Sequence, residues 1–182
     1  MKKFIEVHDD LPTKLVNELE FFILEAKELR WMFNPNVSGV DGQTVPGFAS
    51  AFYSSENKNT IQVDYLPFLL QPLYFICFLK KIIIKNIFEA RVFLQTPSLN
   101  PGPHTSAIHS DLPFPHWVCL YYVNDCDKKG ETIFFDDQHK EIKRVSPKKG
   151  RVVLFDGSIK HTGSSSNSMR AVINICFFGK KV

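Results

Sequence analysis

Between Leu11 and Leu29 the apolar residues Leu11, Leu15, Leu19, Phe22, Ile23, Ala26 and Leu29 recur every three or four positions. That spacing draws one apolar stripe along a helix, and Pro12 and Thr13 suit its first turn. From Asn34 to Thr60 the chain turns to Gly, Ser, Asn and Pro, broken by short apolar patches such as "FASAFY". It reads as a long loop with at most one strand, and a loop of that length inside a compact domain suggests a substrate-facing segment. A second helix is expected over Pro72–Ile83, after which "IFEARVFLQT" alternates like a strand. The remainder is strand-like, with short runs at 117–123, 131–135, 141–145, 151–155 and 171–178 separated by turns rich in Gly, Pro, Asp, Asn or Lys. This is the punctuation of an antiparallel sandwich or barrel. With no internal repeat, residues 1–182 read as a single, mainly β domain: helical support over about 1–85 and a β core over about 86–180.

Composition agrees. Hydrophobic residues make up 44% of the chain and aromatic ones 13%, including 17 phenylalanines, which excludes a disordered segment. A chain of this length buries about two-thirds of its unfolded surface around one core. The net charge of +3 carries no nucleic-acid signal, and Lys148–Lys149 reads as a solvated turn. Cys77, Cys119, Cys126 and Cys176 lie far apart without a C-x-x-C pair, so reduced thiols and a cytoplasmic location are expected. The start, "MKKFIEVHDDLP", has no apolar run of the kind a secretory signal needs. The greasiest segment, "LPFLLQPLYFICFL", falls short of the roughly 20 residues that span a bilayer. A buried helix and no membrane partner are expected.

The candidate chemistry begins in "IHSDLPFPHWV". In an extended segment, residues two apart face the same side, so His109 and Asp111 can reach one point while Ser110 turns away. One imidazole and one carboxylate are half of a two-histidine-one-carboxylate metal site. The candidate third ligand is His161 in "RVVLFDGSIKHTGSSS", where a strand rim meets a loop. Nine residues on, Arg170 opens the strand "RAVINICFF", whose barrel neighbour is expected to be the strand that delivers His161. An arginine at the start of a buried strand is costly unless an anion meets it. A dicarboxylate reaching from metal to arginine satisfies both ends. His104, across a Pro-Gly loop, and His116, behind Pro113 and Pro115, are set aside as entrance residues at best.

The ordered array of H-x-D, "YYVN", "GETIFF", "LFDGSIKHTG" and "RAVINICFF", over about Arg91 to Phe178, resembles the Fe(II)/2-oxoglutarate-dependent dioxygenase superfamily. The likeness is to its prolyl-4-hydroxylase-like branch and to small phage-encoded members. It implies a double-stranded β-helix, or jelly roll, with the site at one open end. It also implies that His109, Asp111 and His161 bind Fe(II), and that Arg170 holds the far carboxylate of 2-oxoglutarate through a two-pronged salt bridge. Tyr122 matches a tyrosine that hydrogen-bonds that carboxylate in the oxygen-sensing prolyl hydroxylases. Alternation on its strand puts Val118 and Leu120 on the same face. The same alternation sends Arg170, Val172, Asn174 and Cys176 to one side, so Asn174 points inward, toward the cosubstrate or a ligated water. Gln95, on the strand before H-x-D, is a further candidate near the cosubstrate, while Arg91 reads as structural. Tyr122 also fits a pure core role, and Asn174 a tied-down turn.

The activity implied is oxidative decarboxylation of 2-oxoglutarate to succinate and CO2 with O2, coupled to hydroxylation of a substrate; ascorbate is a further candidate reductant. The chain departs from the prolyl-hydroxylase pattern at "TPSLNPGPHTSAIHSD", where many of those enzymes carry a glycine-and-tyrosine segment. It also has arginine where the collagen-type enzymes have lysine. These changes leave the metal chemistry intact and the substrate open. A peptide, with a prolyl side slightly favoured, stands beside a small metabolite or nucleotide. Two other classes remain: a cupin-like jelly roll that binds a metal or ligand without catalysis, and a hydrolase with zinc on the same ligands. Phe114, His116, Trp117 and the 34–60 and 97–107 loops are expected around the open end.

Overall fold

The strands expected in the C-terminal half pair, and segments from the N-terminal third join them. The computed structural model describes residues 3–35, 46–56, 62–99, 108–126 and 129–182. In chain order the elements are β1 (Ile5–His8), α1 (Thr13–Leu24), β2 (Met32–Asn34), β3 (Gly47–Ser54), α2 (Leu66–Leu69), α3 (Gln71–Leu79) and β4 (Ile82–Gln95). There follow β5 (Trp117–Tyr122), β6 (Thr132–Phe135), β7 (Glu141–Val145), β8 (Val152–Asp156), β9 (Lys160–Gly163) and β10 (Arg170–Lys181). A large antiparallel sheet has the order β1-β8-β5-β10-β4-β3-β2, and a small one has the order β7-β6-β9.

Both faces of the large sheet are covered, so its central strands read as near-continuous apolar runs. Alternation sorts them. Cys119, Tyr121, Leu154, Ile173, Ile175 and Phe177 pack with Leu19, Ile23, Leu73 and Ile76 of the helices. Val118, Leu120, Tyr122, Val153, Phe155, Val172 and Cys176 pack with Phe134 and Val145 of the small sheet. The second layer, between the sheets, is the interior of a jelly roll, as expected.

The differences from expectation are local. Helix α1 ends at Leu24, short of Leu29: the amides of Glu25 and Ala26 both turn back to the Phe21 carbonyl, and Leu29 is buried from a non-helical segment. Helix α3 stops at Leu79, and Lys81 takes a left-handed conformation (φ 53°) that ends the turn. The β-branched run Ile82–Ile84 therefore opens β4 instead of continuing the helix. The segment over about 1–85 is mixed rather than helical, since it supplies β1, β2, β3 and the start of β4. "FASAFY" lies within the eight-residue strand β3, paired along β4. Residues 36–45 and 57–61, the bulk of the anticipated 34–60 loop, lie outside the described residues.

Strand β1 is held against β8 by pairing of Ile5–His8 with Val152–Phe155. Just beyond it, Asp9 accepts hydrogen bonds from Arg151 Nε and Nη2 at 2.8 and 2.9 Å and from Lys148 Nζ at 3.1 Å. Arg151, with Lys148 behind it, pulls the Asp9 carboxyl down to about 2 from an ordinary 3.8. A carboxyl depressed in the folded state stabilises fully above its unfolded value and loses that contribution as pH falls through the folded one. Asp9→Asn is therefore expected to lose less stability than wild type between pH 3.8 and about 2. Urea unfolding across that window checks this, and parallel losses in the two proteins contradict it.

Candidate metal and cosubstrate site

His109 and His161 are brought together by backbone before side chain. Their main chains exchange two hydrogen bonds, His109 N to His161 O at 3.0 Å and His161 N to His109 O at 2.9 Å, an isolated antiparallel bridge at the rim of the small sheet. The two imidazole centroids stand 4.8 Å apart. Asp111, two residues on and on the same side, brings Oδ2 to 3.4 Å from His161 Nε2. One ligand atom from each of His109, Asp111 and His161 lies within 4.8 Å of the others.

The electrostatics suit a cation. His161 Nδ1 is 3.1 Å from the Ile159 carbonyl, which can only accept, so Nδ1 carries the hydrogen and Nε2 presents its lone pair. The ring packs edge-on to Phe155, with centroids 5.0 Å apart. Burial pushes the imidazole's pKa down, against the upward pull of Asp111, which keeps the neutral ligand form. Asp111 Oδ2 is buried with no hydrogen-bond partner. An unsatisfied buried polar atom costs about 1–3 kcal/mol, more when charged, and a metal ion at this point removes that cost. The donor set of two imidazole nitrogens and a carboxylate fits iron.

Asn174 donates from Nδ2 to Asp111 Oδ1 at 2.9 Å. The inward direction expected for it is found: Nδ2 meets the Asp111 carboxylate, and Oδ1 is buried with no hydrogen-bond partner.

Arg170 lies on the same face of β10, four residues or roughly 13 Å of strand from Asn174. It is 8% exposed, and among the described residues no Asp or Glu lies at ion-pair distance from it. Its Nε donates to the Gly130 carbonyl at 2.8 Å and its Nη2 to Thr132 Oγ1 at 3.0 Å. The Tyr122 hydroxyl is 2.5 Å from the same Thr132 oxygen, and the guanidinium carbon sits 5.4 Å from the Tyr122 ring centroid. Tyr122 is thus a buried core residue that also belongs to the arginine cluster. Gln95 is directly opposite Arg170 in the β4–β10 register, on the shared face, and is buried. Thr132 was missed in the sequence, although it is the threonine of the quoted "GET"; its signal is the inward phase of β6.

One expectation is corrected. The barrel neighbour of β10 is not the strand carrying His161: β10 lies between β5 and β4, whereas β9 pairs with β6. The two meet across the interior, where a Cβ on Gly163 would stand 3.6–3.7 Å from the Arg170 guanidinium. His161 and Gly163 are two residues apart, about 7 Å of strand, so metal position and arginine are separated on the scale of a five-carbon chain.

The expected entrance residues divide. Phe114 stacks edge-on with Phe88 at 5.0 Å and is 37% exposed. Trp117 is core, packed edge-on between Phe4 and Phe177. His116 is 2% exposed and lies beside Asp111, in the wall of a cleft that Phe114 and Trp117 also line. Arg91 pairs with Glu89, in keeping with a structural part. His104 and most of the 97–107 loop lie outside the described residues.

No protein-family model matches the chain, and no curated protein does. Solved structures do. A prolyl hydroxylase from Trichoplax adhaerens, in complex with a hypoxia inducible factor oxygen degradation domain peptide fragment, aligns with TM-score 0.63 at 17% identity, over 96% of this chain and 83% of that one. A prolyl-4-hydroxylase from Pseudomonas putida aligns with TM-score 0.62 at 17% identity, over 97% and 92%. The non-heme alpha ketoglutarate dependent epimerase SnoN from nogalamycin biosynthesis aligns with TM-score 0.62 at 12% identity, over 97% and 79%. At such identities the likeness is one of fold: the chain has the double-stranded β-helix of the 2-oxoglutarate/Fe(II) oxygenases.

Because Asn174 holds Asp111 without itself reaching the metal position, Asn174→Ala is expected to weaken Fe(II) or Co(II) binding roughly 10–100-fold with the fold retained. Equilibrium dialysis with circular dichroism measures this; unchanged affinity would remove Asn174 from the site.

Proposed function

We propose that this protein is an Fe(II)- and 2-oxoglutarate-dependent oxygenase acting as a hydroxylase. The observation that carries this reading is a pairing inside one jelly roll: the His109–Asp111–His161 cluster, and the buried Arg170 that no carboxylate of the described residues meets. A purely structural metal has no use for such an anchor, which sets the cupin-like reading behind this one.

His109, Asp111 and His161 would hold the iron and leave half of an octahedral shell open. Arg170 would take the distal carboxylate of 2-oxoglutarate, with Thr132 and Tyr122 fixing the guanidinium and Gln95 beside it. When bound, iron and 2-oxoglutarate supply the oxidative decarboxylation to succinate and CO2, with O2 as oxidant, that is coupled to substrate hydroxylation. The chain's own part is to orient and to exclude water. Asn174 fixes Asp111, the Ile159 carbonyl fixes the His161 tautomer, and Leu120, Phe134, Phe155 and Val172 wall the interior with hydrocarbon. Desolvation around Arg170 strengthens its attraction for a carboxylate.

A peptidyl, and within that a prolyl, substrate is favoured by the peptide-bound Trichoplax enzyme and the Pseudomonas enzyme. The Phe88–Phe114 pair beside the H-x-D segment offers aromatic faces on which a prolyl ring or another flat group can stack. Ascorbate would serve as reductant. The four cysteines are free, which favours a reducing compartment such as the cytoplasm, and no helix among the described residues is long and apolar enough to cross a membrane.

Adding Fe(II) and 2-oxoglutarate without oxygen is expected to give a visible charge-transfer band, and admitting oxygen is expected to release succinate. His109→Ala or Asp111→Ala should abolish both. Arg170→Met should keep metal binding but raise the 2-oxoglutarate requirement at least about thirtyfold, the equivalent of the roughly 2 kcal/mol lower bound for truncating one partner of a buried charge pair. Full turnover in either alanine variant, or no visible band and no succinate from protein loaded with Fe(II) and 2-oxoglutarate, contradicts this reading.

A further inference from the structure

His116 repeats the local design of His161. Its Nδ1 is 2.7 Å from the Phe114 carbonyl, two residues back, as His161 Nδ1 is 3.1 Å from Ile159 O. The hydrogen therefore sits on Nδ1 and the lone pair on Nε2. That Nε2 is buried and has no hydrogen-bond partner. The ring is held against Gly157, where a Cβ would stand 2.2–2.5 Å from three ring atoms, so only glycine admits it.

Two residues beyond Asn174 on the inward side of β10 lies Cys176, 1% exposed. One ligand atom from each of Asp111, His116 and Cys176 lies within 4.8 Å of the others, the same limit that the His109–Asp111–His161 cluster meets. Asp111 belongs to both groups. A buried imidazole with a bare Nε2, a buried thiol and a carboxylate with an unsatisfied oxygen are an N, S, O donor set. Such a set suits tetrahedral zinc and its analogues, with a fourth position left for water, whereas the N, N, O triad suits iron.

We propose that Asp111, His116 and Cys176 form a second metal-binding position, selective for a thiophilic divalent cation of the zinc class and sharing Asp111 with the triad. The position does not depend on the oxygenase reading. Binding involves no redox step: the Cys176 thiol gives its proton to solvent as sulfur donates an electron pair to the metal. A cleft of about 450 Å³ has Ser110, Leu112, Phe114 and His116 in its wall. The other two buried thiols, Cys77 and Cys119, lie in the helix-side core, away from this layer.

Cobalt(II) is the probe, because a cobalt–thiolate bond gives a near-ultraviolet charge-transfer band that histidine and carboxylate ligands do not. Metal-free, reduced protein titrated with Co(II) is expected to show the band. His109→Ala, which breaks the triad alone, should keep it. Cys176→Ala and its near-isosteric counterpart Cys176→Ser should both lose it, and His116→Ala should shift its midpoint to at least roughly tenfold higher cobalt. Circular dichroism verifies that each variant is folded. A wild-type protein without the band at saturating cobalt overturns the proposal whatever the variants do. So does a band that survives in folded Cys176→Ala or Cys176→Ser, or one that vanishes in folded His109→Ala. Failure of the oxygenase reading shows separately, as absent succinate release in a protein that still gives the band.

Discussion

Every second residue of β10 faces the space between the two sheets, and the geometry of both ends of the site follows from that alternation. Arg170, Val172, Asn174 and Cys176 form one line, while Ala171, Ile173, Ile175 and Phe177 lie beneath the helices. Because β10 is central in the large sheet, with β5 on one side and β4 on the other, its phase is fixed twice over. A slip of one residue would send the guanidinium and the asparagine into the helix-side core. No single contact within the site is as constraining as this register.

The line gathers costs that a folded chain ordinarily avoids. Asp111 Oδ2 and His116 Nε2 are buried without hydrogen bonds, and Arg170 is buried without an acid among the described residues. Each such group destabilises the ligand-free fold by an amount comparable with a lost hydrogen bond or more. Asp111, bonded to the inward Asn174, and Arg170 share the interior, whose other walls are hydrocarbon. Trp117 Nε1 and Tyr121 Oη in the helix-side core are unpartnered too, so what marks a place shaped for ligands is an orphaned carboxylate oxygen and an acid-free buried arginine in one layer.

The parts legible in the sequence were those that depend on local period. Alternation in "RAVINICFF" placed Arg170 and Asn174 inward, H-x-D spacing aligned His109 with Asp111, and the turn-punctuated runs gave five strands of the core. What escaped depends on pairings between distant segments. The four-residue strand β1 joins the large sheet only through β8, and β2 is defined only by β3. Thr132 matters because β6 brings it under an arginine 38 residues away. The two prolines before His116 read in the sequence only as a strand break; in the fold a glycine on the β8–β9 turn receives the ring. Local signals could show that the strand breaks there, but not what the break is packed against.

The likeness of fold reaches prolyl hydroxylases and an epimerase at similar TM-scores, so the barrel does not by itself select the reaction. Selection must come from what surrounds the open metal positions, and here the register of β3 contributes. Its residues opposite Gln95, Phe93 and Arg91 are Gly47, Ala49 and Ala51, all small and all on the face that continues the inner side of β10, whereas Phe48 and Phe52 point the other way. The large sheet therefore extends past β10 as a low floor, bordered by the Arg91–Glu89 pair. A bulky side chain at any of the three positions would raise that floor. The strand's alternation thus does at β3 what it does at β10, dividing a packed face from one that receives ligands.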